Sequence, residues 1–152
     1  MVVKSFRSKL VTDDIDTIVL HTNTGSTGYR ITKFMLMPVD PASDNMEMTV
    51  KVYKISQTSA SKTIDFNDNT LLAAGYVENH AGEDNGVRST IFFDNEIFNQ
   101  DVYVTAKEGD ANSTGVNYYI EMEQIKLDLN ENTVATLKDI RNIKSQWVNN
   151  II

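Results

Sequence analysis

The stretch Val116-Asn117-Tyr118-Tyr119-Ile120-Glu121-Met122-Glu123 decides the fold class. Val116, Tyr118, Ile120 and Met122 alternate with Asn117, Tyr119, Glu121 and Glu123, the two-residue period of a half-buried β-strand. Beyond Gln124 the apolar set becomes Ile125, Leu127 and Leu129. A one-residue change of phase sends side chains to the other face, so a β-bulge or a sheet-to-sheet bend is expected at Gln124. From Thr133 the period changes again, and Leu137, Ile140, Ile143, Trp147, Val148 and Ile151 recur at helical spacing. A long strand is therefore expected to run into one amphipathic helix over 131–152. Asn130 or Asn132 can cap it, and Glu131 suits the positive end of its macrodipole.

The six apolar helix residues share an arc of about 140° on a helical wheel, with Lys144 the one intrusion. Burying them is worth on the order of 9–18 kcal/mol as an upper bound, too much to leave in water. Two destinations are open: the chain's own sheets, or a neighbouring subunit on which the helix acts as an anchor. A sandwich with both faces already closed would favour the second. Leu137, Ile140, Ile143, Trp147, Val148 and Ile151 are accordingly the candidate partner-interface residues.

Upstream of this tail the chain reads as short strands and polar loops. Thr17 to Thr22 is an expected strand, followed by the turn cluster Asn23 to Gly28. Tyr29 to Met37 is apolar on both faces through Phe34-Met35-Leu36-Met37, the pattern of a central strand, and Pro38 and Pro41 end it. Met46, Met48, Val50 and Val52 alternate with Glu47, Thr49, Lys51 and Tyr53, which predicts one core face and one wet face. Thr63 to Phe66, Leu71 to Val77 and Val87 to Phe93 are further apolar pieces. Val102 to Ala106 and the long strand from Val116 read as a β-hairpin with an extended tip. Six of the seven glycines fall in loops, Gly75 being the exception. Regular turn signals with no intervening helices predict an all-β fold: an antiparallel, jelly-roll-like β-sandwich over 1–130, closed by the C-terminal amphipathic α-helix over 131–152.

Composition narrows the function classes. A chain of 152 residues is one domain as a prior and needs no staples to bury a core. The absence of cysteine excludes a disulfide framework, thiol catalysis and cysteine-ligated zinc. A net charge of -7 repels phosphate backbones and anionic lipid, so neither a nucleic acid nor a membrane is an expected partner. Met1 to Leu10 has no apolar run, so no signal peptide is expected.

No segment carries a catalytic constellation, and no cofactor is expected. The two histidines, His21 and His80, lack metal-ligand spacing. Three acidic clusters (Asp13, Asp14, Asp16; Asp65, Asn67, Asp68; Glu83, Asp84, Asn85) suit turn-making better than calcium, because none follows the alternating calcium-loop pattern. Glu121 and Glu123 share a face with Tyr119, which reads as an exposed or partner-covered surface. Tyr118, Tyr119, Phe92, Phe93 and Phe98 are the residues from which an aromatic platform for a sugar would be built, so a carbohydrate-binding module is the competing class.

The tail also carries a resemblance. The run Val116 to Asn130, followed by Thr133-Val134-Ala135-Thr136-Leu137-Lys138-Asp139-Ile140-Arg141, resembles the C-terminal part of small virion structural proteins of marine tailed bacteriophages, the cyanophage type in particular. The opening, with Thr17-Ile18-Val19-Leu20 and its Gly-rich turn, is similar to the first hairpin of phage decoration and tail-associated sandwiches. The resemblance implies a non-enzymatic building block of a phage particle, made in the host cytoplasm and assembled in many copies. The implied role is a head decoration or cement protein, with a neck, tail or fibre-attachment position as the alternative. Implied partners are other virion proteins, the major capsid or neck and tail proteins, and further copies of the chain as a homo-oligomer.

Overall fold

The computed structural model describes residues 1–20, 26–41, 45–80 and 86–128. They form eight strands: β1 (Val2–Leu10), β2 (Ile15–Ile18), β3 (Thr27–Pro38), β4 (Met46–Tyr53), β5 (Leu71–Asn79), β6 (Arg88–Phe93), β7 (Val102–Glu108) and β8 (Val116–Lys126). Two antiparallel sheets result. Sheet A has the order β1-β8-β3 and sheet B the order β2-β7-β4-β5-β6. No helix lies among the described residues. The helix expected over 131–152, and with it all six candidate interface residues, falls outside them.

Alternation makes both sheets one-sided, and their inner faces share one core. Sheet A contributes Leu10, Phe34, Leu36, Tyr118, Ile120 and Met122; sheet B contributes Met46, Met48, Val50, Val52, Leu72, Val102 and Val104. The pairing is nested: β1 with β8, β2 with β7, β4 with β5. β3 and β6 lie against each other, and just beyond β6 the chain crosses to sheet A, where Phe98 bridges Tyr29 of β3. Gly75, inside β5, sits where Leu36 reaches across from the other sheet. A Cβ there would lie 2.5 Å from Leu36 Cδ1 and 2.8 Å from Ile91 Cδ1. Gly115 opens β8 with φ 128°, where a Cβ would meet the Leu10 carbonyl oxygen at 2.7 Å.

Four expectations are corrected. β7 and β8 are not a hairpin: β7 pairs with β2 and β4, β8 with β1 and β3, and the connection between them passes from one sheet to the other. Alternation places a strand's faces but carries no record of its partner. The central strand of sheet A is β8, whereas β3 pairs in full only with β8. The bulge lies not at Gln124 but on β3 between Ile31 and Lys33, and the apolar phase change after Gln124 coincides with the end of β8, where Leu127 is buried. β4 has no wet face. Thr49, Lys51 and Tyr53, on its outer side, are all buried, because residues 54–70 fold back over sheet B.

Candidate functional site

The two outer faces differ. That of sheet B is closed by residues 54–70, which are pinned at several points. Lys51 Nζ donates to the Thr63 carbonyl at 2.6 Å and stands 5.4 Å from the centre of the Tyr53 ring. Asp65 Oδ1 accepts from the Asn67 amide at 2.9 Å, and Asp68 Oδ1 accepts from both the amide and the hydroxyl of Thr70. Tyr53, Leu71 and Ala74 make a second small core with Phe92 under this cover. Burial, opposed by the nearby Asp68 carboxylate, holds the Lys51 ammonium below its usual range. Burial and then Asp68 push the Tyr53 phenol up to about 12.

Residues 61–67 of this cover are exposed, and the most exposed large apolar side chain among them is Phe66. Phe66 stacks on Phe92 with ring centroids 4.6 Å apart, yet remains 68% exposed. A large aromatic held at a fixed place in a hydrogen-bonded loop has its ordering entropy already removed, which is what a binding anchor requires. Below it, Lys54 and Glu96 form a buried ion pair at 2.9 Å that ties the end of β4 to the segment after β6.

The outer face of sheet A is open. The strand registers set its rows in order along the sheet: Lys9, Asn117 and Met37; Arg7, Tyr119 and Met35; Ser5, Glu121 and Lys33; Val3, Glu123 and Arg30. Met35, Met37 and Val3 are exposed, and Arg7, Lys9, Met35, Met37, Asn117 and Tyr119 line a depression of about 540 Å³. The Tyr119 hydroxyl donates to Glu121 at 2.7 Å, and that bond raises its pKa. Lys33 Nζ sits 5.9 Å from the Tyr119 ring centre, and Arg30 pairs with Glu123 at 3.1 Å. The free edge of β1 is guarded. Lys4 points to the inner side, 5.5 Å from the Tyr29 ring, and an inward charge on an edge strand opposes pairing with a further strand.

The remaining sequence candidates are dispersed. The Tyr118 hydroxyl is buried between the sheets and donates to Asp16 Oδ2 at 2.5 Å; burial and then this bond raise its pKa. Asp14 accepts from the Val11 amide, and Asp13, at φ 72°, pairs with Lys107 at 2.8 Å. These carboxylates thus make turns and bonds between strands. His80 lies 3.6 Å from Glu78, whereas His21 and the Glu83 cluster fall outside the described residues. Among the described residues no three acidic or histidine side chains converge as metal ligands. The expected aromatic platform is split: Tyr118 and Phe98 are in the core, Tyr119 faces out from sheet A, and Phe92 lies under Phe66. Sequence reasoning missed Phe66, whose one signal was a lone aromatic amid Asp65, Asn67 and Asp68. It also missed the buried Lys51 and Lys54. Comparison of the chain with protein-family models, with curated proteins and with solved structures gave no significant match.

Proposed function

We propose that this chain is a structural subunit of a tailed-bacteriophage particle, in the first place a head decoration or cement protein that stabilises the capsid through subunit interfaces. It would be made in the host cytoplasm, carried in the virion in many copies, and bound to the major capsid protein and to sister chains. Neck, tail and fibre-attachment positions are the alternatives within the same class. The fold is read as a jelly-roll sandwich closed by an amphipathic helix over 131–152. The nested pairing of β1 with β8, β2 with β7 and β4 with β5 supports that reading, since two sheets built this way are the architecture of many capsid and lectin domains.

Architecture alone does not assign a role. The observation that carries the proposal is Phe66, an aromatic left in water on a loop that is already ordered. The test is co-sedimentation of the purified chain with undecorated tailed-phage heads. Phe66→Ala should weaken binding by about 30-fold, the effect of losing a hot spot of about 2 kcal/mol. Unchanged binding of the variant, or no binding of the wild type, would overturn the proposal.

A second reading, a carbohydrate-binding module, has one observation in its favour. Tyr119, half-buried, lies in the depression on sheet A with Asn117 and Arg7 beside it, a stacking surface flanked by hydrogen-bonding groups. A glycan array with no signal, or a signal indifferent to Tyr119→Ala, would remove it.

A further inference from the structure

We infer that the free edge of β6 pairs with the same edge of a second copy of this chain, antiparallel about a two-fold axis at Ile91, so that sheet B continues from one subunit into the next. The inference does not rest on the virion reading, since the isolated chain suffices to test it. It stands on the state of the sheet edges, on the ladder and on the charges at the two ends of β6.

Among the described residues four strands bound the two sheets, and three of their edges are blunted. β1 carries Lys4 on its inner side. β2 has only four residues. β3 is bulged between Ile31 and Lys33, is held at Tyr29 by backbone bonds to Phe98 in both directions, and ends on Pro38. Such devices keep an edge strand from adding a further strand. β6 lacks them. Ser89-Thr90-Ile91-Phe92-Phe93 holds no charge, proline, glycine or bulge, and it is rich in β-branched and aromatic residues.

The ladder fixes which backbone groups are open. The Asp94 amide donates to the Leu72 carbonyl at 2.8 Å, so these two residues form a hydrogen-bonded pair. Bonded pairs alternate along an antiparallel ladder. Arg88, Thr90 and Phe92 therefore turn their amides and carbonyls to β5, while Ser89, Ile91 and Phe93 turn theirs to the open edge. A two-fold axis at Ile91 brings these three to their counterparts: Ser89 faces the partner's Phe93, and Ile91 faces the partner's Ile91. The three pairs supply about six main-chain hydrogen bonds. Because each copy uses the same edge, the pairing closes as a dimer and does not propagate.

The charges select this register. Arg88 opens β6 and Asp94 follows its end. With the axis at Ile91, each Arg88 lies opposite the partner's Asp94, at about 4.5 Å between Cα atoms. With the axis at Thr90 it would face Phe92, and with the axis at Phe92 it would face Glu96, which Lys54 already holds. Arg88 is open to such a contact, its side chain 62% exposed and 3.9 Å from Glu78. In the same register Phe92, which packs on Phe66, lies opposite the partner's Thr90, an aromatic and β-branched pair.

Sedimentation equilibrium of the full chain should show a reversible monomer–dimer equilibrium, and exchange of the Ile91 and Phe93 amides should slow as the dimer forms. Ser89→Pro removes an amide that points to the open edge and leaves the β5 ladder intact, so it should give a monomer with unchanged β-sheet circular dichroism. Arg88→Glu sets like charges opposite each other at both ends and should weaken the dimer about tenfold, and adding Asp94→Lys should restore it. A wild type that stays monomeric up to about 1 mM overturns the inference and leaves the edge to a strand of another protein. A dimer that survives Ser89→Pro, or one indifferent to Arg88→Glu, overturns it as well.

Discussion

The Lys54–Glu96 pair is the sharpest place to test the energetics of this fold. Lys54 Nζ and Glu96 Oε1 are 2.9 Å apart, with side chains only 1% and 13% exposed. The Lys54 backbone is fixed as well, its amide donating to the Thr70 carbonyl at 2.9 Å. Glu96→Ala removes a charge-assisted hydrogen bond from a buried ammonium, a loss of about 1.5–3 kcal/mol. For a domain of this size, about 2–4 °C of melting temperature is lost per kcal/mol, so the variant should melt about 3–12 °C lower. Lys54→Met removes the charge that burial penalises, and Glu96 is the more exposed partner. It should cost about 1–2 kcal/mol. The double variant Lys54→Met/Glu96→Leu should be more stable than Glu96→Ala alone, because an apolar pair of similar volume replaces a buried ion pair at little cost. Urea unfolding of the wild type and the three variants gives these differences. A cost below about 1 kcal/mol for Glu96→Ala would mean that the pair behaves as a solvated surface bridge, and the reasoning would be refuted.

Further expectations follow from the interlayer contacts and from the buried phenols. Gly75→Val places a Cβ and its two methyl groups against Leu36 and Ile91 and should cost about 1–3 kcal/mol by overpacking, with Leu36→Ala recovering part of it in the double variant. Tyr118→Phe removes the bond to Asp16 between the sheets and should cost about 1 kcal/mol, and little more when Asp16→Asn is added. Alkali should unfold the protein from about pH 10 upward. Tyr53, held up to about 12, and Tyr118 keep their protons in the folded state where an unfolded tyrosine, near pKa 10, loses them. The folded state then binds the more protons, so stability falls by about 1.4 kcal/mol per pH unit for each phenol. Lys51 acts in the opposite sense: its lowered pKa lets stability rise with pH up to about 10.4, the unfolded value. A phenolate absorbance titration in which every tyrosine ionises near pH 10 with the sheets intact would contradict this.

Periodicity made most of the strands legible and their neighbours illegible, while β1, exposed along most of Val2–Leu10, carried no such signal. β8 was readable from Val116 to Met122 because its inner side chains are large and apolar and its outer ones polar. The all-β class and the buried inner face of β4 follow from the same signal. Pairing does not, since an alternating strand fits beside any other; hence the false hairpin of β7 with β8. The outer face of β4 misled for a different reason. Glu47, Thr49, Lys51 and Tyr53 look like a solvated row, and only the return of residues 54–70 buries three of them. Phe34-Met35-Leu36-Met37 erred the other way, apolar on both sides yet open on one: Met35 and Met37 are 41% and 55% exposed. Gly75 was visible as an oddity, but its cause, the reach of Leu36 across from the other sheet, is tertiary. The interaction candidates show the same divide. The apolar stripe from Leu137 to Ile151 could be read from spacing, whereas Phe66 had to be seen on its ordered loop.

The pairing of β1 with β8 also sets a timetable for synthesis. β1 leaves the ribosome well before β8, the strand it pairs with along its whole length, which lies more than a hundred residues further on. Such distant pairings fold slowly and leave nascent segments open to aggregation. β1 carries Lys4, Arg7 and Lys9 among its nine residues, so it waits as a charged thread. The same charges that discourage a stranger from adding to its edge in the finished protein keep it from sticking to other nascent chains during the delay.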